Sequence, residues 1–213
     1  MSKKIGGETM AKIENVDYER IPGQASQMRS EGQALNKELK SAYESINLMR
    51  NFWYGQRYDS LVKEFNRIVP DINELLTLVV SEFPYALEII ANNYSQADKG
   101  ANVTSPQNTA PDKIEEILLS TGIGLRFISA QVEMTQTQVE KNFDNAKEKM
   151  NSIESIYNQI QWESEASQAF KAKFTKLKSQ IISSFENIKS QFAKLMTQAQ
   201  QDVQSAETSN TVM

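Results

Sequence analysis

The side chains with chemistry to offer are few. Glu115 and Glu116 are adjacent, Glu163 and Glu165 are two apart, and Tyr94-Ser-Gln-Ala-Asp98 sets a phenol four residues before a carboxylate. Paired carboxylates can share acid and base work or hold a divalent cation, but only if they converge. Positions one or two apart on a helix do not face each other, so these glutamates read as helix starts and solvated faces. Tyr94 and Asp98 do share a helix face, and by themselves they read as a core-edge aromatic followed by a solvated acid. Thr121-Gly122-Ile123-Gly124 lacks the lysine and third glycine of a phosphate loop and reads as a helix break.

The rest of the composition narrows the chemistry further. The 213 residues include no Cys and no His, which removes thiolate nucleophiles, disulfides and the commonest general base and transition-metal ligand. No catalytic, cofactor-binding or metal site is expected, and the protein is read as non-enzymatic. A net charge of -4 without a basic stripe argues against nucleic acid as a partner. Two lysines near Met1 are followed by no apolar stretch, so no cleavable Sec leader is expected. The longest apolar run, Leu75 to Val80, is far too short to span a bilayer, so no stable membrane insertion is expected.

Four apolar stripes position whatever these residues do. Leu35, Leu39, Ala42, Ile46, Met49 and Trp53 recur at steps of three and four, as one face of a helix entered at Pro22-Gly23. A second stripe runs Leu61, Phe65, Ile68, Ile72, Leu76, Val79, Phe83, Leu87, Ile90, Tyr94; Pro70 and Pro84 fall inside it, so a kink or short break is expected at one or both. A third runs from Val132 to Ile160, and a fourth from Phe170 through Phe174, Leu177, Ile181, Phe185, Ile188, Phe192, Met196 and Ala199 to Val203. Between stripes lie Trp53-Tyr54-Gly55 and Trp162-Glu163-Ser164, each read as the bend of a helical hairpin. Lys99 to Pro111 has no periodic apolar residues and reads as a linker, with a short helix possible over 112–119.

Adding 109, the interval from Trp53 to Trp162, carries the second stripe onto the fourth at every position from 61 to 94. The chain therefore reads as two copies of one hairpin. Its expected divisions are a mobile arm over 1–20, a first hairpin over 21–98, a linker over 99–125, a second hairpin over 126–207 and a frayed tail over 208–213. The expected fold is all-α, with two tandem helical hairpins packed as an antiparallel four-helix bundle.

A hairpin of about this length with Trp-x-Gly at its bend resembles the WXG family, the small ESAT-like helical proteins exported by type VII (ESX) secretion systems. The second copy, Trp162-x-x-x-Ala166-x-x-x-Phe170-x-x-x-Phe174-x-x-Leu177, also resembles that family, with Ser164 in place of Gly. Members pair into four-helix bundles, and one partner carries Tyr-x-x-x-Asp/Glu after its second helix as an export signal. Tyr94-x-x-x-Asp98 fits that signal; the second copy has Val203-Gln-Ser-Ala-Glu207, with the acid kept and the tyrosine gone. The resemblance implies a covalently fused pair from a Gram-positive source, monomeric as an internal pseudo-dimer and exported without a cleavable leader. Its implied partners are the secretion ATPase, which would read Tyr94, Asp98 and the Trp53-Gly55 bend, and a co-secreted helical protein. Trp53 and Trp162 are alternatively rings that only pack their bends. The rival functional readings are a membrane-active factor that exposes Leu75 to Val80, and a cytosolic coiled-coil adaptor or chaperone.

Overall fold

The computed structural model describes residues 16–120, 124–162 and 164–210. Residues 1–15 of the expected arm, residues 121–123 of the expected Gly-rich break, Glu163 and the tail residues 211–213 lie outside the described residues.

Helix α1 covers Ile21–Met49 with Pro22 in its first turn, where a missing N–H costs nothing. Its apolar stripe starts earlier than Leu35: Ile21, Ala25 and Met28 are buried with the expected residues. After the first bend, α2 (Gln56–Thr77), a five-residue π turn (Leu78–Glu82) and α3 (Phe83–Lys99) follow one another without a gap. The helix passes through Pro70, and the irregular turn lies directly before Pro84. Proline has no N–H to return to the carbonyl of Val80, four residues back, and the Arg29 side chain donates to that oxygen at 3.3 Å. A π turn inserts a residue and rotates everything beyond it. The core face of α3 accordingly falls on Leu87, Ala91 and Ser95 rather than on the expected Leu87, Ile90 and Tyr94.

The second hairpin consists of α4 (Ser129–Asn158) and α5 (Glu165–Asn210). Shifted by 109, the start of α2 at Gln56 falls on Glu165, where α5 begins. The first helices repeat at 111 instead, carrying buried Ile21, Met28, Leu35, Leu39 and Ala42 onto buried Val132, Val139, Ala146, Met150 and Ile153. The second bend is thus two residues shorter than the first.

Across the hairpins, α1 lies antiparallel to α4 and α2 to α5. Gln24 bonds the Gln159 carbonyl and Asn145 bonds Glu38 on the first pair, while Lys173–Glu74 and Arg57–Asp202 mark the second. Within each hairpin the helices are also antiparallel, as Lys178–Glu154 and Lys189–Asp144 mark for α4 and α5. The protein is an all-α, antiparallel four-helix bundle of two tandem hairpins. Leu75 to Val80, the stretch a membrane-active reading needs, has its apolar residues buried in the core, and no described helix is long and apolar enough to cross a membrane.

This arrangement forces a long connection. The chain leaves α3 at one end of the bundle and enters α4 at the other, where the two-residue strand β1 (Trp53–Tyr54) pairs antiparallel with β2 (Arg126–Phe127). Residues 101–120 cross back along the first hairpin without helical structure. The short helix expected over 112–119 does not form. Eight residues are too few to sustain a helix alone, and Asn73 and Asn66 take up the backbone groups of Ile114 and Ile117 instead, burying both side chains.

Gly32 on α1 lies close against the π turn. A Cβ there would lie 2.8 Å from Val80 Cγ2 and 3.1 Å from Val79 Cγ2, and valine is stiff at χ1. Gly23 on the same helix has nothing within 4 Å of such a Cβ. One substitution should therefore act with opposite signs at two positions. Gly32→Ala is expected to lower unfolding stability by about 1–2 kcal/mol, and Gly23→Ala to raise it by about 0.4–1 kcal/mol, both measured by urea denaturation.

Candidate functional site

The two bends solve the same problem by different means. At the first, Gly55 precedes α2 with φ of 117°, a conformation closed to other residues without strain, and a Cβ there would sit 3.3 Å from the Gly124 carbonyl. At the second, Ser164 caps α5: its hydroxyl accepts the N–H of Ser167 at 3.1 Å, the bond of an N-cap residue to the third position of its helix. The departure from glycine at Ser164 thus has a local reason.

Trp53 is wholly buried, so its ring offers no surface to a partner in this fold. It stacks on Phe192 of α5 at 5.8 Å, meets Phe127 edge-on at 5.7 Å and lies 6.2 Å from Tyr58. Its indole N–H finds no acceptor among the described residues. Tyr58 closes the bend by donating to the Ile46 carbonyl at 3.1 Å, and burial pushes its hydroxyl up to about 12. Trp162, 7% exposed, stacks on Phe83 at 6.3 Å, and Phe83 stacks on Phe170 at 3.5 Å beside Tyr157.

The two stacks are one contact made twice. Trp53 of the first hairpin touches Phe192 of the second, and Trp162 touches Phe83; both members of the first pair map onto the second by the same interval of 109. Residue i on j and j's counterpart on i's counterpart is the signature of a two-fold interface, here within one chain.

The helix tail with Tyr94 and Asp98 lies at the Trp162 end. Tyr18 donates its hydroxyl to Asp98, Lys99 pairs with Glu19, and α1, which these residues precede, meets Gln159 of the second bend at Gln24. The hydrogen bond to Asp98 holds the Tyr18 hydroxyl above its ordinary value. Tyr94 is half-buried and Asp98 exposed, and Gly100 in the left-handed conformation ends the helix two residues after Asp98. Tyr94 and Asp98 therefore lie toward the end of the bundle that carries the second bend, but Trp162 packs on Phe83, eleven residues or roughly 16 Å before Tyr94 on the same helical run. Trp53 and Gly55 lie at the opposite end, some 40 helical residues or roughly 60 Å from Tyr94.

Glu115 and Glu116 are exposed on the crossing segment and Glu165 is exposed at the start of α5. Among the described residues no three His, Cys, Asp or Glu gather as a metal ion would require. Charge comes together instead at a pair that the stripe pattern passed over: Arg29 and Glu88, both buried, form a two-pronged ion pair at 3.0 and 3.1 Å. The available signal was an Arg on the core phase of α1, four residues after Ala25 and one after Met28.

No family model matches the chain, and comparison with curated proteins and with solved structures returned no match.

The differing bends give a graded stability series. Gly55→Ala should cost about 1–3 kcal/mol through backbone strain. Ser164→Ala should cost about 1 kcal/mol and Ser164→Gly only a few tenths, all by chemical denaturation. A pH series checks the first bend separately. Because the folded Tyr58 titrates near 12 and an unfolded one near 10, its contribution is complete below pH 10 and is lost between pH 10 and 12. Tyr58→Phe should flatten stability across that window.

Proposed function

We propose that this chain is a non-enzymatic protein exported by a type VII secretion system, as a substrate or a partner in secretion, and that it is built as a covalently fused pair of WXG-like hairpins. The observation that carries the reading is the reciprocal stacking of Trp53 on Phe192 and Trp162 on Phe83. In separate chains such a two-fold exchange would be a homodimer interface; here it is internal, as a fused pair requires.

The export determinant in this reading is Tyr94 with Asp98, presented at the end of α3. The secretion ATPase would take the phenol and the carboxylate from one helix face. Trp53 and Gly55 act at a distance by holding the first bend, and Trp162 and Ser164 hold the second. The proposed localisation is the cytoplasm before export and the exterior or cell surface after it.

Export is tested by comparing culture supernatant with cell pellet in a host with an active type VII system, for the wild type, Tyr94→Ala and Asp98→Ala. Both side chains lie outside the core, so each variant should keep the wild-type unfolding midpoint within a few degrees while export falls at least tenfold. Wild-type protein confined to the pellet sinks the reading, and undiminished export of both variants removes Tyr94 and Asp98 from it.

A further inference from the structure

The segment that crosses the bundle is held far more closely than a connector needs to be. Asn92 accepts the N–H of Thr104 at 3.1 Å and donates to its carbonyl at 3.0 Å. Glu88 accepts the N–H of Gln107 at 2.7 Å while its partner Arg29 donates to the same residue's carbonyl at 2.9 Å. Asn73 takes both groups of Ile114, each at 2.8 Å, and Asn66 both groups of Ile117, each at 2.9 Å. Asp59 then accepts the N–H and the hydroxyl of Ser120 at 2.8 and 2.7 Å. Four residues of the segment thus exchange both backbone bonds with side chains, as they would with the edge of a sheet.

The spacing is matched on the two sides. Asp59, Asn66 and Asn73 are seven residues apart on α2, an advance of about 10.5 Å with about 20° of drift around the helix. Their partners Ser120, Ile117 and Ile114 are three apart, which spans about 9–10 Å of extended chain. A period of three is that of a polyproline-II-like segment, in which residues i and i+3 face the same way, and it lets both isoleucines turn into the core at 3% and 2% exposure. Apart from Asp59 at the Ser120 hydroxyl, the groups doing the reading take backbone atoms, not particular side chains. They also belong to one hairpin only: the positions 109 beyond Asp59, Asn66, Asn73 and Asn92 are Gln168, Thr175, Ile182 and Gln201.

We propose that the α2–α3 face of the first hairpin is a binding groove for an extended polypeptide segment, that residues 103–120 occupy it in cis, and that a segment of another chain with apolar residues three apart can replace them. The proposal does not depend on the secretion reading.

The probe is a labelled synthetic peptide of residues 103–120, titrated by fluorescence anisotropy against the full chain with those residues replaced by Gly and Ser at equal length. Saturable binding is expected. It should weaken at least tenfold when Asn66→Ala and Asn73→Ala are combined in the receptor, and likewise when the peptide carries Ile114→Ser and Ile117→Ser. Changing exposed Glu115 and Glu116 to Gln should leave affinity within about threefold. The intact chain, whose groove is filled, should bind at least tenfold more weakly than the replaced one. No saturable binding to a folded, replaced chain overturns the proposal, as does binding that is indifferent to Asn66 and Asn73 or equal on the intact chain. If the replaced chain does not fold, protease sites placed after Gly100 and before Gly124 in the native chain decide it. After both cuts the segment should co-elute with the bundle on gel filtration, and its prompt release overturns the proposal.

Discussion

Neither hairpin can bury its own apolar stripe, and the rest of the structure follows from that constraint. The first hairpin offers one face along α1 and another along α2 and α3, and the second hairpin offers the same pair of faces on α4 and α5. The solution is an antiparallel two-fold pairing, in which every stripe finds a partner and each tryptophan reaches a phenylalanine of the other hairpin. Burial of this kind, at roughly 25 cal/mol per Å² of apolar surface, is the driving term. The ion pairs at the exposed rim, such as Arg57 with Asp202 and Lys173 with Glu74, set register and add little, since exposed pairs contribute about 0–1 kcal/mol.

The same pairing dictates the features that break the symmetry. An antiparallel mate begins where the first hairpin has its bend, so the linker must travel the length of the bundle, and on the way it is bound by polar groups of α2 and α3. Its arrival fixes the first bend, through β1 with β2 and the bond from the Ile128 N–H to the Phe52 carbonyl. Among the described residues the second bend has no incoming strand; it is two residues shorter and closes with a serine cap. Pro84, the π turn, Gly32 and Arg29 form a second linked group. The proline removes a donor, the turn rotates α3, the glycine admits the displaced valines, and the arginine reaches the Val80 carbonyl while holding Glu88 and the linker.

Much of this was legible in the residues. The four stripes, both bends and the repeat rest on the hydrophobic period, and the helices follow it from Ile21 to Asn210. Some details were not legible, for identifiable reasons. The period alone cannot place a π turn, so the expected face of α3, on Ile90 and Tyr94, was off by one residue from the buried Ala91 and Ser95. Ile114, Ile117 and Leu118 have helical spacing, yet the chain is extended there because its backbone is satisfied by asparagines more than forty residues away in sequence. Asn66 and Asn73 lie off the apolar stripe; the available hint was that asparagine is a poor helix residue and that the two stand seven apart, in step with Asp59. The tryptophans were weighed both as recognition surface and as packing. The burial of Trp53 assigns its ring to packing, while the placement of Tyr94 and Asp98 toward the end that carries the second bend could not be inferred without knowing that the hairpins pair antiparallel.

The central claim is that one chain contains both halves of a two-fold bundle, so that association is intramolecular and independent of concentration. Sedimentation equilibrium combined with thermal unfolding over a hundredfold range of protein concentration tests it directly. The account predicts a single species at the chain mass of 24.1 kDa and an unfolding midpoint that does not move. A dimer at micromolar concentration, or a midpoint that climbs with concentration, would show that the hairpins complete their cores between chains and would contradict it.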